Sequence, residues 1–169
     1  MIKNQKKFVI GLFLVVLGLI CPVSCTVKSI QFNQNCGGFI KQASDANTPE
    51  LALERINLAL DYIKAHGITN GYTSILIKTE AENVGFWYRN IVACQEELNS
   101  CLSSSQLEKT NVLMKVRESL SQTPDGISLY PYNRFWALIN TISLFMILAG
   151  LKKVLNELEW NKPWVFPRL

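Results

Sequence analysis

Phe135–Leu151 reads FWALINTISLFMILAGL and is closed at once by Lys152 and Lys153. As an α-helix, this run of about 17 residues would be about 25 Å long, slightly less than the roughly 30 Å core of a bilayer. Aromatic side chains that favour the headgroup zone flank it on both sides. The pattern predicts a membrane span over residues 132–155, and the alternative is a buried core helix of a soluble protein. The flanking aromatic residues are Tyr130, Tyr132, Trp136, Trp160 and Trp164.

A second apolar run, FVIGLFLVVLGLI, follows three lysines near the start of the chain and precedes Pro22. A basic stretch followed by a short apolar stretch is typical of a secretory signal. We expect residues 1–23 to be a signal-anchor that forms a first membrane span, or else a cleaved signal peptide. A third outcome is lipidation of Cys25, since Pro22-Val-Ser-Cys25 places a small residue before cysteine, as a bacterial lipobox does.

Small and polar residues mark one side of each apolar run. Close contact between membrane helices favours such residues, because they let two backbones approach and supply hydrogen bonds. Gly11 and Gly18 lie seven residues apart in the first run, and the second run has its small and polar side chains at helical spacing. We therefore predict a helix–helix contact in the membrane through Gly11, Gly18, Ala137, Asn140, Thr141 and Ser143.

The lysines also predict an orientation. They precede the first run at positions 3, 6 and 7 and follow the second run at 152 and 153. By the positive-inside rule, both termini are cytoplasmic, residues 24–134 are periplasmic or otherwise extracytoplasmic, and residues 156–169 form a cytoplasmic interfacial tail. The predicted location is the inner (plasma) membrane, so the lipid bilayer is the first expected partner.

Charge is unevenly distributed along the chain. The net charge is +4, yet residues 24–133 contain nine Lys and Arg against eleven Asp and Glu. The positive excess therefore lies beside the apolar runs, where it fits membrane flanks. We expect no nucleic-acid partner.

Residues 24–131 show helical periodicity. One helix is predicted to begin at Asn47–Glu50 and to end at His66-Gly67, a second covers residues 80–102, and a third covers residues 105–121. Gly37-Gly38 reads as a turn or a flexible joint, and the segment Thr123–Gly126 reads as a turn. Residues 68–79 read as a linker with some strand character around Ile75–Ile77. The predicted fold is all-α, a small three-helix bundle flanked by two hydrophobic membrane-spanning helices.

Four of the five cysteines fall in the predicted extracytoplasmic region, where oxidation is normal. Cys94 and Cys101 are two helical turns apart, about 10.5 Å in rise, which is too far for a bridge between them. We predict that each pairs with Cys25 or Cys36, so that disulfide bonds staple the N-terminal segment to the second helix. The alternative is four reduced core cysteines, and lipidation of Cys25 would compete with the pairing.

Motifs for catalysis are absent from the sequence. It contains no G-x-S-x-G, no phosphate-binding glycine loop and no C-x-x-C pair, and its single histidine, His66, reads as a helix-end residue. We expect no enzyme activity, no catalytic residues, no metal site and no cofactor. Two aromatic patches could contact a partner, or could simply cover each other; their residues are Tyr72, Phe86, Trp87 and Tyr88.

Three phrases carry a resemblance: Gly71-Tyr-Thr-Ser74, Gly85-Phe-Trp-Tyr88 with Asn90, and Asn111-Val-Leu-Met-Lys115 with Arg117-Glu118. With them the chain resembles an uncharacterised bacterial, notably cyanobacterial, membrane-protein family over about residues 40–150. The resemblance implies helices followed by a C-terminal span, and it brings no activity or ligand.

The sequence therefore predicts a non-enzymatic integral membrane protein whose helical, disulfide-stapled domain acts through protein or lipid contacts. A second hypothesis is an oligomeric, holin-like or channel-like element in which Asn140, Thr141 and Ser143 line a helix interface. A third is a secreted or lipid-anchored helical binding protein. A protein partner or self-association is expected in the first two, with its identity open.

Overall fold

A computed structural model describes residues 4–158. Lys3 and residues 159–169, which include most of the predicted interfacial tail with Trp160 and Trp164, lie outside the described residues. The predicted all-α class is confirmed, since residues 4–158 form helices joined by loops with no β-strand among them. The helices are α1 (Gln5–Phe32), a π-helix (Asn33–Gly37), α2 (Gly38–Ser44), α3 (Pro49–Ala65), α4 (Val84–Cys101), α5 (Gln106–Leu120) and α6 (Asn133–Glu157), with short 3₁₀ turns at Glu80–Glu82 and Ile127–Leu129.

The chain divides into two compact units. One consists of Met1–Thr26 together with Phe135–Leu169, and it contains most of α1 and of α6. We call it the helix pair. The other is Val27–Arg134, which contains α2 to α5, and we call it the helical domain.

Where we predicted a turn at Gly37-Gly38, the structure has continuous helix. Both glycines have helical backbone angles, with φ of −57° and −63°. The Gly38 N–H donates to the Asn33 carbonyl and closes a π turn, and a Cβ at Gly38 would lie only 2.8 Å from that oxygen. Glycine therefore permits the wider turn at this position, and Val27–Phe32 simply extends the first helix.

Local capping signals explain where the helices of the domain begin. Thr48 accepts the Leu51 N–H ahead of Pro49, Asn83 accepts the Phe86 N–H, and Ser105 accepts the Glu108 N–H. Each side chain satisfies one of the N–H groups that a helix start leaves without a partner. Gly126, with φ of 70°, forms the predicted turn before α6.

The core of the domain lies among the π-helix, α2, α3, α4 and α5. α3 packs against both the π-helix and α4, and α5 packs against α2 and α4. Aliphatic side chains at helical spacing fill the centre, and most of them are fully buried. They include Ile56, Leu60, Ile63, Val84, Ile91, Leu98 and Val116.

The linker between α3 and α4 has no strand at Ile75–Ile77. Instead, a single antiparallel bridge joins Tyr72 to Asn83, and Ile75–Ile77 form an exposed bend. The predicted second helix accordingly begins later than expected, at Val84, behind the 3₁₀ turn Glu80–Glu82. Asn83 caps α4 from an extended backbone, which interrupts the helix there.

The structure does not support the predicted disulfide staple, because Cys25, Cys36, Cys94 and Cys101 are all free thiols. Cys36 lies on the π-helix, which packs against α2 and α3, whereas Cys94 and Cys101 lie on α4. Cys36, Cys94 and Cys101 are buried as small apolar side chains, which agrees with the alternative of reduced core cysteines. Burial raises the pKa of the Cys94 thiol, with a smaller contribution from Glu97, so Cys94 stays neutral at physiological pH.

Candidate functional site

The helix pair is antiparallel and very closely packed. A Cβ added at Gly150 would lie 2.6 Å from the Gly11 carbonyl oxygen, and one added at Gly18 would lie 3.0 Å from the Ser143 carbonyl oxygen. Backbone therefore meets backbone at both glycines, as in membrane helix pairs with small residues at the contact. The contact residues of α6, Ser143 and Gly150, are seven apart, as are Gly11 and Gly18 in α1.

Hydrogen bonds join the two helices along this contact. The Ser143 hydroxyl donates to the Gly18 carbonyl oxygen. The Asn140 amide lies between two thiols: its nitrogen is 3.4 Å from the Cys25 sulfur, and its oxygen accepts from the Cys21 thiol at 3.5 Å. The side chains of Asn140 and Ser143 thus find hydrogen-bond partners within the helix pair, which matters where no water is present.

Two of the predicted contact residues, Ala137 and Thr141, bond to each other within α6. Thr141 is exposed, and its hydroxyl donates to the Ala137 carbonyl of its own helix. Sequence reasoning missed Gly150, Cys21 and Cys25 as contact residues. The seven-residue spacing from Ser143 to Gly150 was the available signal for Gly150.

α1 and α6 are both long and apolar enough to cross a membrane. Within the most apolar window of each helix, only 17% of residues in the first and 11% in the second are buried. A core helix of a soluble protein would instead be mostly buried. The large side chains therefore face away from the partner helix, for example Phe13 and Leu19 on α1 and Leu144, Phe145 and Leu148 on α6.

The aromatic residues predicted as a partner surface have three different environments. Phe86 is 58% exposed on the first turn of α4, Trp87 is buried in the core, and Tyr88 is half-buried against it. Tyr72 is half-buried, and the Lys78 ammonium lies 5.4 Å from the centre of its ring. Phe86 therefore remains open to a partner, whereas Trp87 serves the fold.

Phe86 borders a cleft of about 360 Å³ between the start of α4 and the segment after α5. Three carboxylates line it, from Glu80, Glu82 and Asp125, and none of its lining residues is Lys or Arg. Glu82 accepts from the Thr79 hydroxyl at 2.6 Å, and Glu80 accepts from the Asn83 amide at 3.2 Å. The cleft can accept a cationic or hydrogen-bonding group beside an aromatic ring. Sequence spacing gave no signal that Asp125 would join Glu80 and Glu82.

His66 occupies the helix-end position that its spacing predicts. Its Nδ1 donates to the Tyr62 carbonyl at 2.9 Å, and its ring stacks on Tyr62 at 3.9 Å. Both contacts hold the imidazole against the last turn of α3. Among residues 4–158, no three His, Cys, Asp or Glu side chains form a group that could hold a metal ion.

No family model, curated protein or solved structure matches the chain. The resemblance to an uncharacterised bacterial membrane-protein family therefore stays a prediction. The geometry of the helix pair and of the cleft is what bears on function.

Proposed function

We propose that the chain is an integral protein of the inner membrane, with α1 and α6 as its two spans. The helical domain, which they anchor, is a non-enzymatic binding module that faces the extracytoplasmic side. Its contacts are with a protein or with lipid, and it uses no cofactor.

The outward-facing apolar surface of the helix pair is the observation that carries this proposal. Burying one large aliphatic or aromatic side chain is worth about 1.5–3 kcal/mol, and both helices leave many of them exposed. In water these side chains would form an exposed apolar surface of the kind that marks a protein or membrane contact. In a bilayer, hydrocarbon surrounds these side chains, so their exposure on the helix pair carries no free-energy cost. The polar groups of Asn140 and Ser143 are already satisfied within the pair.

The orientation rests on the lysines that flank the two apolar runs. We expect green fluorescent protein fused after Leu169 to fluoresce, because it folds only in the cytoplasm. Alkaline phosphatase inserted in the turn at Thr123–Gly126 should be active, because it needs an oxidising compartment. Intact mass of the purified fusion reports whether residues 1–23 are retained. A phosphatase that is active after Leu169, in a chain with an intact N-terminus, would refute the orientation.

The cleft beside Phe86 is the candidate partner surface of the domain. A photo-crosslinking amino acid at Phe86 should give one heterologous band in native membranes, since this ring is exposed next to the cleft carboxylates. Met114 on α5 is 64% exposed and does not line the cleft, so the same probe there is the matched control. Equal products from both positions would show that the cleft has no special role.

The oligomeric hypothesis has weaker support. Asn140 and Ser143 bond to α1 of the same chain, and Thr141 bonds to its own helix, so all three hydrogen-bonding side chains already have partners. A ladder of homo-oligomers in the crosslinking experiment would favour it nonetheless. A secreted or lipid-anchored product would lose α1 up to Cys25, and with it the contacts of Gly11 and Gly18 to α6.

A further inference from the structure

The loop between α3 and α4 presents three consecutive aliphatic side chains to solvent. Ile75, Leu76 and Ile77 are 43%, 89% and 74% exposed. Single exposed aliphatic residues are ordinary, but three in a row at a loop tip form a patch that indicates an interaction surface.

The base of this loop is fixed, so the tip has a defined place on the domain. The Thr73 N–H donates to the Glu82 carbonyl at 3.0 Å, and the Val84 N–H donates to the Gly71 carbonyl at 2.9 Å. These bonds clamp the two arms together. The segment from 74 to 81 therefore projects from a rigid base.

The loop lies at the end of the domain where the chain enters and leaves. The Tyr130 hydroxyl donates to the Asn70 carbonyl at the base of the loop, three residues before α6 begins. At the entry side, the Phe32 ring packs on Tyr62 in the last turns of α3, at a centroid distance of 6.0 Å. One small cavity has Lys28, Gln31, His66, Ile68 and Tyr132 among its lining residues. The first and last residues of the domain and the start of the loop thus share one end.

The opposite end of the domain is about one helix length away. Lys109, near the start of α5, pairs with Glu50 at the start of α3 at 3.3 Å. α3 has 17 residues and is therefore about 25 Å long. Leu107 precedes Lys109 by two residues and is 74% exposed, so it is an exposed aliphatic residue at the far end of the domain.

We propose that Ile75–Ile77 insert into the interfacial zone of the bilayer that the helix pair spans. This inference rests on the proposed membrane anchoring, because the chain continues from Val27 and from Arg134, the two ends of the domain, directly into the two proposed spans. Aliphatic side chains gain by entering the acyl boundary, and Lys78, next in sequence, can meet a headgroup phosphate. The nearby carboxylates of Glu80 and Glu82 are held by Asn83 and Thr79 within the loop. The loop makes the bilayer surface a third attachment point of the domain.

An environment-sensitive nitrobenzoxadiazole label on Leu76→Cys tests the proposal in the full chain, reconstituted in phosphatidylcholine and phosphatidylglycerol vesicles. Four native thiols, at Cys21, Cys36, Cys94 and Cys101, are buried and Cys25 is partly exposed, so unsubstituted protein treated alike gives the labelling background. Leu107→Cys is the matched control, since Leu107 is also a largely exposed leucine and lies at the opposite end of the domain. We expect blue-shifted emission at position 76 and its quenching by lipids with a doxyl group high on the acyl chain, with neither at position 107.

Equal access of an aqueous quencher to both positions would overturn the proposal. So would a label at 76 that is shielded from water but unaffected by doxyl lipids, since that result means a protein contact or self-association. Carbonate extraction of the same vesicles tests the membrane anchoring separately from the loop insertion. If the chain resists extraction but the aqueous quencher reaches the label at position 76, the loop insertion alone is refuted. If carbonate extracts the chain, the membrane anchoring is refuted.

Discussion

Replacing Leu98 with alanine is expected to lower the free energy of unfolding of the helical domain by about 2–5 kcal/mol. Leu98 is fully buried on α4, in the core shared with Ile91 and Val116. Truncation removes apolar surface from the core and leaves a cavity that closely packed helices cannot fully close. Urea unfolding of the full chain in mild detergent, followed by tryptophan fluorescence, measures the change because Trp87 lies in the same core.

Leu58→Ala is the matched control for this truncation. Leu58 is a leucine on α3 that is 39% exposed, so the same truncation there should cost well under half as much. Equal losses at Leu58 and Leu98 would contradict the core described above. A large loss only at Leu98 would show that α4 is stabilised by packing rather than by its own helix propensity.

Much of this domain could be predicted from sequence because its signals are local. Thr48 and Ser105 stand directly before α3 and α5, where the sequence predicts helix starts, whereas Asn83 caps α4 at a position that the sequence places inside a helix. Apolar side chains at helical spacing then identify the buried face of each helix. The all-α class follows from those two patterns without knowledge of how the helices meet.

Features that depend on tertiary packing could not be predicted from the sequence. Gly37-Gly38 has the composition of a turn, yet both residues are helical. The π turn that closes on Asn33 uses the room that Gly38 leaves by having no Cβ. The number of cysteines and their predicted oxidising compartment favour disulfide bonds, whereas the structure has free thiols. A disulfide bond needs cysteines on segments that pack together, which the sequence does not reveal. The π-helix, which carries Cys36, and α4, which carries Cys94 and Cys101, both pack against α3, and α3 carries no cysteine.

The candidate surfaces also combine features that local sequence signals predict with features that depend on tertiary packing. The three consecutive rings at 86–88 imply that at least one of them is exposed, and Phe86 is that residue. The cleft beside it joins Glu80 to Asp125 from distant parts of the chain, which no spacing rule could predict. In the helix pair, polarity points to Asn140 and Ser143, whereas the only sequence signal for Gly150 is its seven-residue spacing from Ser143, and its contact with Gly11 in the structure shows its role.

Gly150→Val is expected to destabilise the helix pair by about 1–3 kcal/mol or more, the usual cost of forcing extra atoms into a packed contact. The new Cβ would lie 2.6 Å from the Gly11 carbonyl oxygen and 2.9 Å from the Val15 nitrogen. Both are backbone atoms of α1, so no side-chain rotation can make room. The helices must separate, which also weakens the bond between Ser143 and Gly18. Titration with SDS from mild-detergent micelles, followed by near-ultraviolet circular dichroism, measures the loss.

Ala149→Val separates close packing from the general effect of a β-branched residue in α6. Ala149 is the preceding residue of the same helix and is exposed, so its valine adds the same branched side chain on the outward side. We expect little change there, since a valine on that side meets detergent or lipid rather than α1. If both variants unfold at the same SDS fraction as the native chain, α1 and α6 do not touch at Gly11 and Gly150. Because the membrane anchoring proposed here treats α1 and α6 as one paired unit, that result would also leave each helix to be held in lipid by its own apolar surface alone.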